Sequence, residues 1–130
     1  MNKKELLMAY RALVTEREEL RAQLRKVGSD GRPAGARAVQ LDGLRGTNNA
    51  GAAAMQLADG LEEFALRKEE EIQALQPEID ALLHSIKDFR TYMVIHHYYV
   101  LARTDEQVAR AMSISRARAN QLRLEFLESA

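Results

Sequence analysis

The chain has no cysteine, only two prolines among 130 residues, and 5% aromatic residues. Without cysteine, neither a disulfide framework nor a thiolate metal site can form. The low aromatic content limits any compact core to a modest size. We therefore expect one small domain, or one domain with an extension, that suits a reducing compartment.

Long apolar runs and excess charge are also missing. No segment approaches the roughly 20 apolar residues of a membrane span. The N-terminal residues become charged again at Arg11, before a secretory apolar stretch can form. These absences predict a soluble, unprocessed cytoplasmic protein that does not associate with a membrane.

The charges balance, with 19 Lys and Arg against 19 Asp and Glu. Attraction to phosphate scales with the cations available, so this balance counts against a general polyanion binder. Any DNA binding must be local. The stretch 113–124 holds three arginines and no acid, whereas residues 62–71 are rich in glutamate.

Helical periodicity organises the chain. An amphipathic helix is predicted over 1–27, and six of the seven glycines fall in the next segment, 28–51, which is predicted to be a linker. A long coiled-coil-like helix over 52–87 has its seam kept in phase across Pro77, where a kink or short break is expected. The segment 88–130, with Asp88 as a helix cap, completes an all-α fold. The seams of the two long helices predict contacts at Leu6, Tyr10, Leu13, Leu20, Leu24 and Val27, interrupted by Arg17, and at Leu61, Ala65, Lys68, Ile72, Leu75, Ile79, Leu82, Ile86 and Phe89.

Residues 104–127 have the spacing of two short helices that cross at a tight turn, as in a helix-turn-helix. Thr104 with Gln107 forms a capping-box pattern, and Ser115 can cap the second helix. Ser113 occupies the turn position that is usually glycine. The predicted core of this corner is Val108, Ala109, Met112, Ile114, Ala119 and Leu122.

The outer face of the second corner helix has the chemistry for reading DNA. Asn and Gln can pair with adenine edges and Ala can touch a thymine methyl, so the predicted base-reading residues are Ala117, Asn120 and Gln121. Side chains on the flanks would reach phosphates. Leu124 and Leu127 are equally well explained by packing on the long helix or on a second subunit, so neither is taken as a base contact. The predicted phosphate contacts are Ser115, Arg116, Arg118 and Arg123.

Three stretches of this region carry a resemblance to a known family: Tyr98-Tyr99-Val100-Leu101, Thr104-Asp105-Glu106-Gln107-Val108-Ala109 and Met112-Ser113-Ile114-Ser115-Arg116. The C-terminal third of the chain resembles the helix-turn-helix of region four of bacterial sigma factors, in the variant found in small phage and prophage late-transcription regulators of the ArpU and RinA type. Gln107, Val108 and Ser113 replace that family's more usual Glu, Ile and Gly. The resemblance implies a phage-derived transcription regulator that acts through promoter DNA, RNA polymerase, or both.

No catalytic set can be assembled from the sequence. The adjacent His96 and His97 point about 100° apart on a helix and lack partners at ligand spacing, so no metal site is predicted. The glycines near Gly43 lack the Gly-Lys-Ser/Thr of a phosphate loop. We therefore expect no enzyme activity and no cofactor.

Two arrangements of the long helices and two functions stay open. The helices 1–27 and 52–87 can pair within one chain as an antiparallel hairpin, or between chains. A homodimer is favoured because it would present two reading helices to a palindromic site on double-stranded DNA. The alternative function is a coiled-coil interaction or assembly protein, such as a polymerase adaptor or a phage packaging component, in which the corner is a fold element only.

Overall fold

The computed structural model describes residues 2–31 and 44–129, and their side chains outside 28–50. All of the regular secondary structure in these residues is helical, which confirms the predicted all-α class. A π-helical segment, His96–Val100, directly follows the third helix. The helices are α1 (Lys3–Gly31), α2 (Leu44–His84), α3 (Phe89–Ile95), α4 (Asp105–Met112) and α5 (Arg116–Glu128).

Both long helices extend into the predicted linker 28–51. Helix α1 continues to Gly31, and α2 already begins at Leu44. A glycine costs a helix only about 1 kcal/mol relative to alanine, and the alanines around Gly51 are strong helix formers. The part of the predicted linker between the two helices lies outside the described residues.

Helix α2 continues through Pro77 without the short break that was one of the two expectations near Gln76. The kink, which the unbroken phase of the seam favours, stays a prediction. Proline removes one backbone hydrogen bond from a helix interior. Buried side chains on both sides of Pro77, Ile72 and Ile79, hold the helix in place across that gap. Helix α2 ends at His84, and a new helix starts after the turn at Ser85.

The chain divides into two compact units, of which the first comprises Met1–Thr15 and Glu70–Ala130. Its main core joins the start of α1 to the end of α2 and to the segment that follows. Tyr10 closes one edge of this core, because its Oη donates to Gln76 Oε1 at 2.8 Å. The buried core residues are Leu6, Leu7, Tyr10, Val14, Ile72, Ile79, Leu83, Ile95 and Tyr99.

The second unit comprises Glu16–Glu69. Arg17, which interrupts the predicted seam of α1, forms an ion pair with Glu69 at 3.1 Å, and Lys68 pairs with Glu16 at 3.4 Å. Leu24 shares a groove with Glu62, so the helices run antiparallel within this unit. Such partly exposed pairs contribute only about 0–1 kcal/mol each and mainly set the register.

In the C-terminal part of the first unit, α3 and the two corner helices α4 and α5 pack around a small core of their own. Helices α3, α4 and α5 pack on one another. Val94 of α3 is buried with four side chains of the corner, and Met112 and Ile114 pack against this cluster. These four side chains are Val108, Ala109, Ala119 and Leu122.

Helix ends in the corner follow the predicted caps. Thr104 Oγ1 accepts from Gln107 N at 3.1 Å, and Gln107 Oε1 accepts from Thr104 N at 3.0 Å, so the capping box is complete. Ser115 Oγ accepts from Arg118 N. Asp88 caps α3 by accepting from Thr91 N. All three predicted caps are confirmed.

Phe89 is wrong as a member of the predicted seam, because its side chain is 72% exposed. The helical phase of α2 is lost in the turn that follows His84. Asp88 then starts α3 in a new orientation, with Phe89 as its first residue.

Ser113 adopts a left-handed conformation, with φ 57° and ψ 43°, at the end of α4. This conformation costs an L-residue about 1–2 kcal/mol, whereas glycine adopts it freely. We expect Ser113→Gly to raise the free energy of unfolding by about 1 kcal/mol in urea denaturation. Ser113→Ala is the control, and a stabilisation of similar size in that variant would contradict the backbone explanation.

Candidate nucleic-acid interface

The N-terminal half of α5 carries two arginines on its exposed side, one on each flank. Arg116, Ala117, Arg118 and Gln121 are exposed, while Ala119 and Leu122 on the opposite side are buried in the corner core. Among the described residues, neither Arg116 nor Arg118 forms an ion pair. The first turn of α5 contains no acid. This end of the helix therefore combines two cations that lack an ion-pair partner among these residues with the positive end of the helix dipole.

Gln121 has both ends of its amide in contacts on this surface. Its Oε1 accepts from Arg118 Nη1 at 3.1 Å, and its Nε2 donates to Glu125 Oε2 at 3.2 Å. All three side chains are exposed. Water competes with such bonds, so they contribute little and a ligand can replace them at low cost.

Arg123, predicted as a phosphate contact, instead points into the fold. Its side chain is 13% exposed and forms an ion pair with Asp105 of α4 at 3.1 Å. The guanidinium also lies 4.0 Å from the centroid of the Tyr98 ring. Sequence position alone placed Arg123 on the flank of α5, but the aromatic face and the carboxylate draw it inward.

The environment of this arginine stabilises its charge. Burial alone would lower the pKa of Arg123, but hydrogen bonding to Tyr99 and Asp105 outweighs burial and raises it. Burial likewise raises the pKa of the Tyr99 hydroxyl, against the opposing effect of the guanidinium. Arg123 therefore links α5 to α4 as a charged side chain, through its ion pair with Asp105.

A second arginine lies on the Tyr98 ring. Arg11 of α1 has its guanidinium 4.2 Å from the ring centroid. Its Nε donates to Tyr98 O at 3.0 Å and its Nη2 to Arg103 O at 3.1 Å. The Tyr98 carbonyl lies in the π-helical segment and the Arg103 carbonyl lies three residues beyond its end, where helical partners run out.

Lys3 holds the far end of α5 in a similar way. Its Nζ donates to the backbone oxygens of Phe126 and Ser129, both at 2.7 Å, and lies 4.4 Å from the Phe126 ring centroid. A cation at a helix C-terminus is favourable for the dipole. Helix α1 therefore contacts the C-terminal end of α5. The N-terminal half of α5 stays exposed.

The two leucines near the chain end differ in environment. Leu127 packs against the main core of the first unit, as expected from the packing interpretation. Leu124 is 43% exposed and borders a groove with Met8 and Tyr98.

Further basic side chains lie at the start of α3. The pKa of the Asp88 carboxyl is lowered, first by hydrogen bonds from Thr91 and further by the charges of Arg90 and Arg118. The field of Arg118 therefore reaches the N-terminal end of α3. The Asp88 carboxylate therefore lies within the influence of both Arg90 and Arg118.

The paired histidines lie in the π-helical segment and are both half-buried. Burial lowers the pKa of His96 and of His97, and the charge of Arg103 lowers both further. Arg103 Nη1 lies 3.0 Å from His97 Nδ1, so a cation already occupies that nitrogen. In the described ranges no group of three or more His, Cys, Asp or Glu side chains is placed to hold a metal ion.

None of the described helices is both long and apolar enough to cross a bilayer. Comparison of the chain with protein-family models, with curated proteins and with solved structures gives no significant match.

Proposed function

We propose that the chain is a sequence-specific DNA-binding transcriptional regulator of phage or prophage origin. In this proposal α4 and α5 act as a helix-turn-helix, with α5 as the recognition helix. One observation carries the proposal: the exposed half of α5 has an accessible glutamine and two arginines that form no ion pair with any described residue, opposite a face that is buried in the corner core. The resemblance to sigma-factor region four supports the same interpretation.

The roles follow from where each side chain lies. Arg116 and Arg118 would neutralise phosphates on the borders of the major groove, with the Ser115 hydroxyl close to the same strand. Ala117 and Gln121 would meet base edges, the glutamine after exchanging its contacts to Arg118 and Glu125 for bonds to a base. Asn120 is half-buried and would reach the groove from the inner border of this face. Arg123 supports the corner and is not part of the proposed contact surface.

A homodimer would compensate for the zero net charge by doubling the local arginines. A cytoplasmic location and a contact with RNA polymerase belong to the same proposal.

The second unit leaves apolar side chains exposed, among them Leu57 at 53% and Phe64 at 54%. They lie seven residues apart on α2, and this spacing favours the alternative function, in which the chain is a helical assembly or adaptor protein without DNA readout.

Fluorescence anisotropy over a salt series tests the proposal. The probes are labelled random-sequence duplexes and duplexes that carry phage promoters. We expect affinity to fall as salt rises, and the double variant Arg116→Gln/Arg118→Gln to weaken binding by on the order of tenfold. The slope of log affinity against log salt should become less steep by about 0.9 for each lost phosphate contact.

The matched control is Arg25→Gln/Arg67→Gln, which removes the same charge from exposed positions in the second unit. This variant should bind like the wild type. Equal losses in the two double variants would mean that net charge, and not the α5 face, drives binding. Absence of binding at low salt would contradict the proposal and favour the assembly function.

A further inference from the structure

Of the three predicted base-reading residues, Asn120 is the one whose side chain bonds to a side chain that is itself paired with α4. Its Oδ1 accepts from Arg123 Nη2 at 2.7 Å, the shortest contact of that guanidinium. The same Nη2 lies 3.1 Å from Asp105 Oδ2 and 3.3 Å from Asp105 Oδ1. Asp105 therefore holds the guanidinium in the position that fixes the Asn120 amide.

This bond decides which way the amide faces. A flipped Asn120 would place its NH₂ group 2.7 Å from another donor, because guanidinium nitrogens carry only donor hydrogens. The carbonyl oxygen must therefore face Arg123. Within the part of the chain that the structure describes, the amide nitrogen donates to no other residue, so it is the group that Asn120 can offer to a ligand.

A donor-only amide reads DNA differently from a free asparagine. A free amide pairs with adenine bidentately: its nitrogen donates to N7, and its oxygen accepts from the N6 amino group. Guanine offers N7 as well, but carries the O6 acceptor in place of the amino group. With its oxygen turned toward the largely buried Arg123, Asn120 presents donor hydrogens to a base. N7 is the acceptor that both purines share, and guanine O6 and thymine O4 also accept.

We propose that Asn120 reads purine N7 as a hydrogen-bond donor and accepts adenine and guanine alike, because Arg123 holds its amide oxygen away from the base. This inference rests on the proposed DNA-binding function and specifies what one residue of that surface recognises. Arg123 is a positioning residue in it. Asp105 holds Arg123, so α4 contributes indirectly to the specificity of α5.

Selection from a pool of duplexes with a randomised core tests the proposal. The position that Asn120 contacts is the one whose base preference is lost in Asn120→Ala. At that position, wild-type affinities for adenine and guanine should agree within about threefold, whereas a bidentate pair would discriminate by about 5- to 150-fold. Arg123→Met frees the amide oxygen, so this variant should prefer adenine by on the order of tenfold.

A measurement on the wild-type protein needs no variant of Arg123. Replacing the purine at the contacted position by its 7-deaza analogue removes N7 only, and should weaken binding as much as Asn120→Ala does. If Arg123→Met folds poorly, Arg123→Met/Asp105→Asn replaces it, since that pair leaves no unpartnered carboxylate.

The outcomes are distinct. A tenfold preference of the wild type for adenine over guanine overturns the inference while leaving the proposed function intact. The same conclusion follows if 7-deaza substitution has no effect, or if Asn120→Ala changes no position. A wild-type protein that enriches no sequence overturns the proposed function and this inference with it.

Discussion

Ile79→Ala is expected to lower the free energy of unfolding by about 4 kcal/mol, within the range found when a buried isoleucine is truncated. Ile79 is fully buried, in the cluster that contains Leu7, Ile95 and Tyr99. These neighbours belong to three different segments of the first unit. A void at Ile79 cannot be filled by one helix moving alone, so the cavity should persist and add to the lost transfer free energy.

Urea denaturation followed by circular dichroism measures this effect. Ile79→Val removes one methylene and should cost about 1 kcal/mol, so the two variants form a graded series. Leu57→Ala, at a position that is 53% exposed, is the control and should change stability by less than about 0.5 kcal/mol. If Ile79→Ala lowered the free energy of unfolding no more than Ile79→Val, the burial of Ile79 in the main core would be contradicted.

Local signals in the sequence predict local structure well in this chain. The capping residues Thr104, Ser115 and Asp88 act within three residues of their own position, so spacing alone is enough to identify them. The left-handed turn at Ser113 is also a local feature. In the predicted seams, Ile72 and Ile79 are buried as expected.

The sequence does not predict contacts between distant segments. Arg11 and Arg123 are far apart in sequence and lie over the same ring, that of Tyr98. Neither residue type nor spacing distinguishes these arginines from the exposed Arg116 and Arg118. The one sign in the sequence that Arg123 is buried is its place next to Leu122, a predicted core residue. Charged residues stand beside core positions too often for this sign to identify a buried arginine.

The π-helical segment was also missed. Its extra residue shifts the helical phase, and the chain then leaves the helix through Ala102 in a left-handed conformation with φ 54°. Alanine gives no signal for such a turn, where glycine would. Leu7 and Val14 of α1 are buried but are not members of the predicted seam. A heptad seam names Leu6 and Leu13, and the helix buries the residue after each of them as well.

Arg123→Met is expected to destabilise the chain by about 2–3 kcal/mol, somewhat less than the 3–5 kcal/mol found when one partner of a fully buried ion pair is removed. Methionine keeps most of the packing volume against Tyr98. It leaves Asp105, whose side chain is only 23% exposed, without its cation. The cost should therefore come mainly from a desolvated carboxylate, and loss of the stacked guanidinium adds to it.

A double-mutant cycle with Asp105→Asn separates these contributions. If the unpaired carboxylate dominates, the double variant Arg123→Met/Asp105→Asn should be more stable than Arg123→Met alone. The wild-type pair is shielded from solvent, so the coupling energy should change little when salt is added. A coupling energy near zero, or one that disappears at high salt, would mean that Arg123 behaves as an exposed surface cation. In that case the prediction that Arg123 contacts a DNA phosphate would stand again.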